Sequence, residues 1–149
     1  MTFKRVASVV VLLSGLVGAA AAGTKGAAKD VIWPAEAIQW APGPMAGVKV
    51  ATLWGSMDKG GAFGVLIKFD AGLMHPLHWH NRTLKIVVLS GTFVHQPEGG
   101  AESRLGPGSY LLQTGKGRHI SGCAAGAPCE FFMASDGKFD MTVVAAGKK

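Results

Sequence analysis

The sequence predicts an all-β fold, a sandwich or a closed barrel, and three observations predict it. Glycine and proline are frequent, 22 and 7 among 149 residues, as expected of a chain that turns often. Between those turns apolar residues recur with a period of two, the signature of a strand with one buried face. Beyond residue 30 no stretch carries a convincing amphipathic-helix pattern.

Taken in order, Val48, Val50, Thr52 and Trp54 alternate with Lys49, Ala51 and Leu53, which places the first four on one face of a strand. Phe63, Val65, Ile67 and Phe69 share a face against Gly64, Leu66 and Lys68. Residues 85–90 (KIVVLS) are apolar on both faces, as expected of a strand covered on both sides. Further strands are expected near 109–113, 117–121 and 130–134, and Phe139, Met141 and Val143 alternate with Lys138, Asp140 and Thr142. The total comes to about eight to ten short strands, in the range of a sandwich or barrel.

The first residues read as a secretory signal. Lys4 and Arg5 precede an apolar run over 6–17, and the small residues 19–22 offer a cleavage site before Gly23. That run is shorter than the ~20 apolar residues of a spanning helix, so no stable membrane anchor is expected. No cysteine lies near the cleavage site, which argues against a lipoprotein. The expected organisation is a signal peptide at 1–22, a flexible leader at 23–32 and one domain at 33–145, in a secreted or periplasmic protein. The formal charge of +6 falls when Lys4 and Arg5 leave, and the remaining bases are scattered. No basic stripe interleaves with aromatics, so nucleic acid is not an expected partner.

Cys123 and Cys129 stand in CAAGAPC, where glycine and proline let the chain turn back. In an exported chain they are expected to pair, closing a short loop for about 2 kcal/mol on the chain-entropy account. The alternative use is as thiolate metal ligands. Nucleophilic hydrolysis finds no support, since none of Ser56, Ser90, Ser103, Ser109, Ser121 and Ser135 sits in a G-x-S-x-G setting. No glycine loop follows the phosphate-cradling spacing either.

The chemistry points to histidine. His78 and His80 flank Trp79, and residues two apart on a strand face the same side, so both imidazoles can meet one metal ion. Their surroundings extend the pattern. Gly72 is followed by LMHPL, the HWH triplet and, after a short strand, Gly91. A second stretch runs from Gly108 through SYLLQ and Thr114-Gly115-Lys116-Gly117-Arg118 to His119, behind a Leu105-Gly106-Pro107-Gly108-Ser109 lead-in.

On these two motifs the chain resembles the cupin superfamily, in particular small single-domain bacterial cupins with an RmlC-like jelly roll, over residues 33–140. The resemblance implies a jelly-roll β-barrel in which His78, His80 and His119 hold one divalent metal ion, iron, manganese or zinc. The pattern also departs from the family. Leu84 falls where the first motif has its glutamate, Thr114 and Lys116 replace a proline and a glycine of the second, and Cys123 replaces its asparagine. Three histidines without the carboxylate can be an open catalytic site, as on zinc or in a minority of cupin oxygenases. They can equally be a weakened metal site.

His75 is expected on a loop at the barrel mouth, because Pro76 breaks the strand parity; it is the candidate general acid or base, with a partner role behind the metal ligands or a simple exposed position as the alternatives. His95 is expected near a sheet edge beside Gln96 and Pro97, with a place in the cavity wall as the alternative. Tyr110 and Gln113 can each offer a polar group, but their odd spacing keeps them from facing inward together. Trp33, Trp40 and Trp54 are expected to fill the core. Trp79 should face outward, as a contact for a second copy of the chain. The leading functional expectation is a metal-dependent enzyme on a small molecule, with oxygenation first among its reactions. A non-catalytic exported module that binds a metal or small ligand stays open beside it, as does a metal-free barrel.

Overall fold

The strands follow the predicted alternation closely: β1 (Ala41–Pro42), β2 (Val48–Trp54), β3 (Phe63–Phe69), β4 (Met74–Trp79), β5 (Leu84–Ser90), β6 (Phe93–Pro97), β7 (Ser103–Leu105), β8 (Tyr110–Gln113), β9 (His119–Cys123), β10 (Cys129–Ser135) and β11 (Thr142–Val143). One 3-10 turn, Ala35–Ala37, precedes them. The computed structural model describes residues 29–145, so the signal expected at 1–22 lies outside the described residues, as does most of the leader.

The strands form two antiparallel sheets. One has six strands in the order β1-β2-β3-β10-β5-β8, the other five in the order β11-β4-β9-β6-β7. Apart from the β6–β7 hairpin, sequence neighbours alternate between the sheets from β3 onward, which gives a jelly roll. The sheets do not close into one barrel: among the described residues the edge strands β1, β8, β11 and β7 each pair on one side only. The barrel expectation is thereby corrected to a two-sheet sandwich, its sheets joined by side chains and connections rather than a continuous ring of hydrogen bonds.

The six-stranded sheet supplies the apolar half of the interior. Phe63, Val65 and Ile67 of β3 lie beside Phe131 and Met133 of β10 and Leu84, Ile86 and Val88 of β5 on its inner face, all buried. Phe93 reaches across from the other sheet and meets Phe131 edge-on with ring centres 4.9 Å apart, and Phe131 in turn meets Phe69 edge-on at 5.0 Å. Each such side chain contributes roughly 1.5–3 kcal/mol by leaving water.

The tryptophans lie elsewhere than expected. The β2–β3 register shifts between Thr52 and Trp54, so Trp54 pairs with Gly64 rather than continuing the inward row. A Cβ at Gly64 would collide with the Trp54 indole, so glycine is what lets the ring lie on the outer face. Lys68 sits 4.0 Å above the Trp40 ring and 3.3 Å from Glu130. Trp33 donates its indole N–H to the Leu53 carbonyl at 2.9 Å. The three rings lie outside the core, and for Trp54 the bulge and a glycine, not apolarity, decide the side.

Cys123 and Cys129 form the expected disulfide, with Cα atoms 5.8 Å apart, which rules out the thiolate-ligand alternative. The bridge joins the end of β9 to the start of β10 and so ties one sheet to the other at the core. The alternation over 139–143 yields only the short β11, because Asp140 is used otherwise, as described next.

Candidate metal centre

The chain has five histidines, and all five gather on the inner side of the five-stranded sheet. Registry explains the gathering. His75 of β4 pairs with Ser121 of β9, which pairs with His95 of β6. One row along, His78 pairs with His119. Directly paired residues of antiparallel strands share a face, so these side chains line up across three strands.

His75 and His78 differ by three residues, an odd number, yet both are buried. The β4–β9 register slips by one residue between them, a bulge that re-aims one of the two. Pro76 occupies the bulge, where its missing N–H costs no ladder hydrogen bond. His75 is therefore a strand residue and not the loop residue expected; the proline that breaks parity is what turns it inward.

The three motif histidines are each held by a backbone carbonyl. The Nδ1–H of His78 donates to the Pro76 carbonyl at 2.7 Å and that of His119 to the Gly117 carbonyl at 2.8 Å. His80, just past β4, donates likewise to the Asp140 carbonyl. Asp140 is fixed in turn, its carboxylate accepting from the backbone N–H of Asn81 at 2.9 Å and from the Asn81 side-chain amide. With Nδ1 protonated, each Nε2 keeps its lone pair for a ligand, the arrangement that orients metal-bound imidazoles. The candidate ligand atoms of His78, His80 and His119 lie within 4.8 Å of one another, and the Nε2 of His119 is buried without a partner. Residues and tautomers fit a divalent ion held by three nitrogens.

Burial keeps these rings neutral. Loss of water pushes His78 down to about 4, helped by nearby His119, His80 and His75 and opposed by the Pro76 carbonyl. Burial, with His119 beside it, takes His95 to about 4 as well. His75, His80 and His119 are lowered for the same first reason. Neutral imidazole is the form that binds metal.

A cavity of about 810 Å³ opens beside the cluster, lined by His75, His78, His80, Ser121 and Gln113 along with apolar residues of the facing sheet. His75 stacks edge-on with His78 at 5.7 Å and Phe69 at 4.9 Å, and its Nε2 is buried without a partner. Leu84 is buried and lines the cavity, so the motif's carboxylate position is an apolar wall. His95 is not an edge residue: β6 lies between β9 and β7, and its ring meets His119 at 5.0 Å. Of the pair Tyr110 and Gln113, only Gln113 turns inward; Tyr110 is exposed. Spacing alone did not find Asp140 or give Gln113 a partner. Asp140 acts through its main chain, which leaves no residue-type signal, and Gln113 through a cross-strand pairing with Leu84. Trp79 is half-buried beside β11, and no helix among the described residues is long and apolar enough to cross a membrane.

The fold is shared with many solved structures. RemF, a polyketide cyclase from Streptomyces resistomycificus, superposes with a TM-score of 0.64 at 16% identity, over 76% of this chain and 84% of that one. DddQ, a DMSP lyase from Ruegeria pomeroyi DSS-3, gives 0.60 at 18% identity, over 76% of this chain and 64% of that one. An RmlC-like cupin from Shewanella frigidimarina NCIMB 400 gives 0.59 at 18% identity, over 72% of this chain and 91% of that one. At these identities the likeness establishes the cupin jelly roll alone. A comparison with curated proteins finds no match. Residues 19–142 match the family described as "Domain of unknown function (DUF4437)". With that match spanning most of the sequence, the chain belongs to the DUF4437 family, a cupin-like family whose jelly roll it shares.

Proposed function

We propose that the chain is an exported metal-dependent cupin enzyme acting on a small molecule, with His78, His80 and His119 holding one divalent ion. The observation that carries this reading is the convergence, within 4.8 Å, of three imidazoles whose Nδ1 atoms are tied to backbone carbonyls. Iron or manganese held by these three residues would supply oxygenation chemistry, and zinc would supply Lewis acidity. The protein's own groups do the rest. The apolar walls exclude water, and His75, neutral and unpartnered beside the cluster, takes up or gives back a proton at Nε2. The similar folds of a polyketide cyclase and a DMSP lyase support a catalytic role for such a cavity. Export is supported by the basic and apolar N-terminal pattern and by the disulfide.

Elemental analysis of protein purified from its native compartment tests the metal, comparing wild type with His78→Ala and His119→Ala. One ion per chain in the wild type and none in either variant is expected. A wild type that stays metal-free after reconstitution overturns the reading. Mass spectrometry of the same preparation tests export, with a chain starting at Gly23 as the expected product.

Leu84 in place of a carboxylate favours a second reading, a binding module that holds a metal or ligand without turnover. Oxygen consumption and product formation over a small-molecule panel separate the two. Saturable binding without chemical change supports the module.

A further inference from the structure

The cavity walls define a ligand. Val48, Ile67, Phe69, Ile86, Phe131 and Met133 make up much of the interior lining, and among the described residues no lysine or arginine touches the space. Its one acidic residue, Asp58, is exposed. An anion entering this cavity would therefore find no cationic side chain, and a polyhydroxylated molecule would find few partners.

The metal end is the exception, because there a negative group would meet a bound cation. Three neutral imidazoles and Leu84 offer a bound dication no anionic ligand atom. A negatively charged ligand group would balance that charge. Across from Leu84, in direct register on β8, stands Gln113, only 5% exposed and lining the cavity. Its side-chain Nε2 is buried with no hydrogen-bond partner. Buried donors are rarely left unpaired, and this one faces a space that a ligand fills.

We propose that the cavity takes an amphiphilic small molecule, an apolar body with one anionic oxygen head group, and that Gln113 donates a hydrogen bond to that head group. The inference rests on the reading of the three histidines as metal ligands. Within it, the metal end reads the head group, the facing sheet reads the body, and Gln113 fixes the orientation between them.

Linear hydroxamates from acetohydroxamate to octanohydroxamate, titrated into the cobalt(II)-loaded full chain, test it. Elemental analysis before each titration gives the cobalt content, and the visible cobalt band reports binding. Affinity should rise about fourfold per added methylene until the cavity is full. Gluconate should bind no better than acetate. Gln113→Leu should keep one cobalt per chain yet bind hexanohydroxamate at least about tenfold more weakly, the loss expected for a hydrogen bond to a charged group. Metal-free Gln113→Leu should melt no lower than wild type, because it removes an unpaired buried donor; a purely structural glutamine would make it melt lower. Gln113→Glu should weaken the hydroxamate also, by supplying the negative charge itself.

A flat chain-length series in cobalt-replete wild type overturns the ligand class. Unchanged affinity in cobalt-replete Gln113→Leu overturns the role of the glutamine. Both are distinguishable from failure of the metal reading, in which the wild type holds no cobalt before any hydroxamate is added. If Gln113→Leu does not fold, Gln113→Glu and the wild-type series still decide.

Discussion

At the scale of single residues, the site is defined as much by what Leu84 lacks as by what the histidines offer. Its side chain lines the cavity where a carboxylate would complete the ligand set, so Leu84→Glu returns both an oxygen ligand and a negative charge. The substitution should act in opposite directions with and without metal. Metal-free, an ionised carboxylate in that apolar wall is costly, and the melting temperature should fall. Metal-loaded, the same group meets the cation, and chelator competition should show binding tighter by about tenfold or more. A variant that binds metal no tighter would mean that position 84 does not reach the ion. His78 and His80 were legible as a pair from strand parity, whereas His119 joined them only through the second motif of the cupin resemblance. Gln113, Asp140 and His95 were legible only in part. Each acquires its role from a strand or a main-chain atom far away in sequence, 60 residues away in the case of His80 and Asp140.

At the scale of elements, the site depends on the pairing of β4 with β9. Met74 lies opposite Gly122, and a Cβ at Gly122 would stand 2.2 Å from the Leu73 carbonyl oxygen. The same carbonyl accepts the Cys123 N–H at 2.8 Å. Gly122→Ala must therefore push β4 away from β9, at a cost of about 1–3 kcal/mol by overpacking. Because His75, His78 and His119 ride on these two strands, metal affinity should fall along with melting temperature. By contrast, Gly99→Ala sits in open space and should leave the metal site intact despite its strained φ of 72°. The disulfide gives a second test at this scale. Cys123→Ala with Cys129→Ala should lose about 2 kcal/mol in denaturant titration without loss of bound metal, since the bridge ties the sheets together on the chain-entropy account and holds no ligand. Period-two alternation made most strands readable in advance. It could not reveal the bulges at Thr52–Trp54 and His75–His78, since an extra residue shows only against its partner strand, and these two bulges decide the sides taken by Trp54 and His75.

At the scale of the whole molecule, the sandwich is asymmetric: one inner face is apolar, the other carries every histidine of the chain. This makes the fold's stability depend on acid. All five imidazoles titrate below the ordinary value of 6.5, with His78 and His95 at about 4, because burial disfavours their charged forms. Between pH 6.5 and about 4 the unfolded chain binds more protons than the folded one, so stability falls as the pH falls. Above pH 6.5 both states hold neutral rings and this contribution is fully present. The metal-free protein should thus show a melting temperature that is level in this respect above pH 7 and drops by several degrees or more toward pH 4. The control is His95→Phe, which removes one depressed imidazole outside the proposed ligand set and should make the slope shallower. A slope unchanged in that variant would assign the acid response to other groups. Saturating metal adds a second dependence of the same sign. Protons compete with the ion for Nε2 of His78, His80 and His119, so affinity should fall with pH, and excess metal should shift the loss of stability to lower pH. Comparing the two melting curves therefore separates the histidine face as a buried neutral surface from the same face as a metal site.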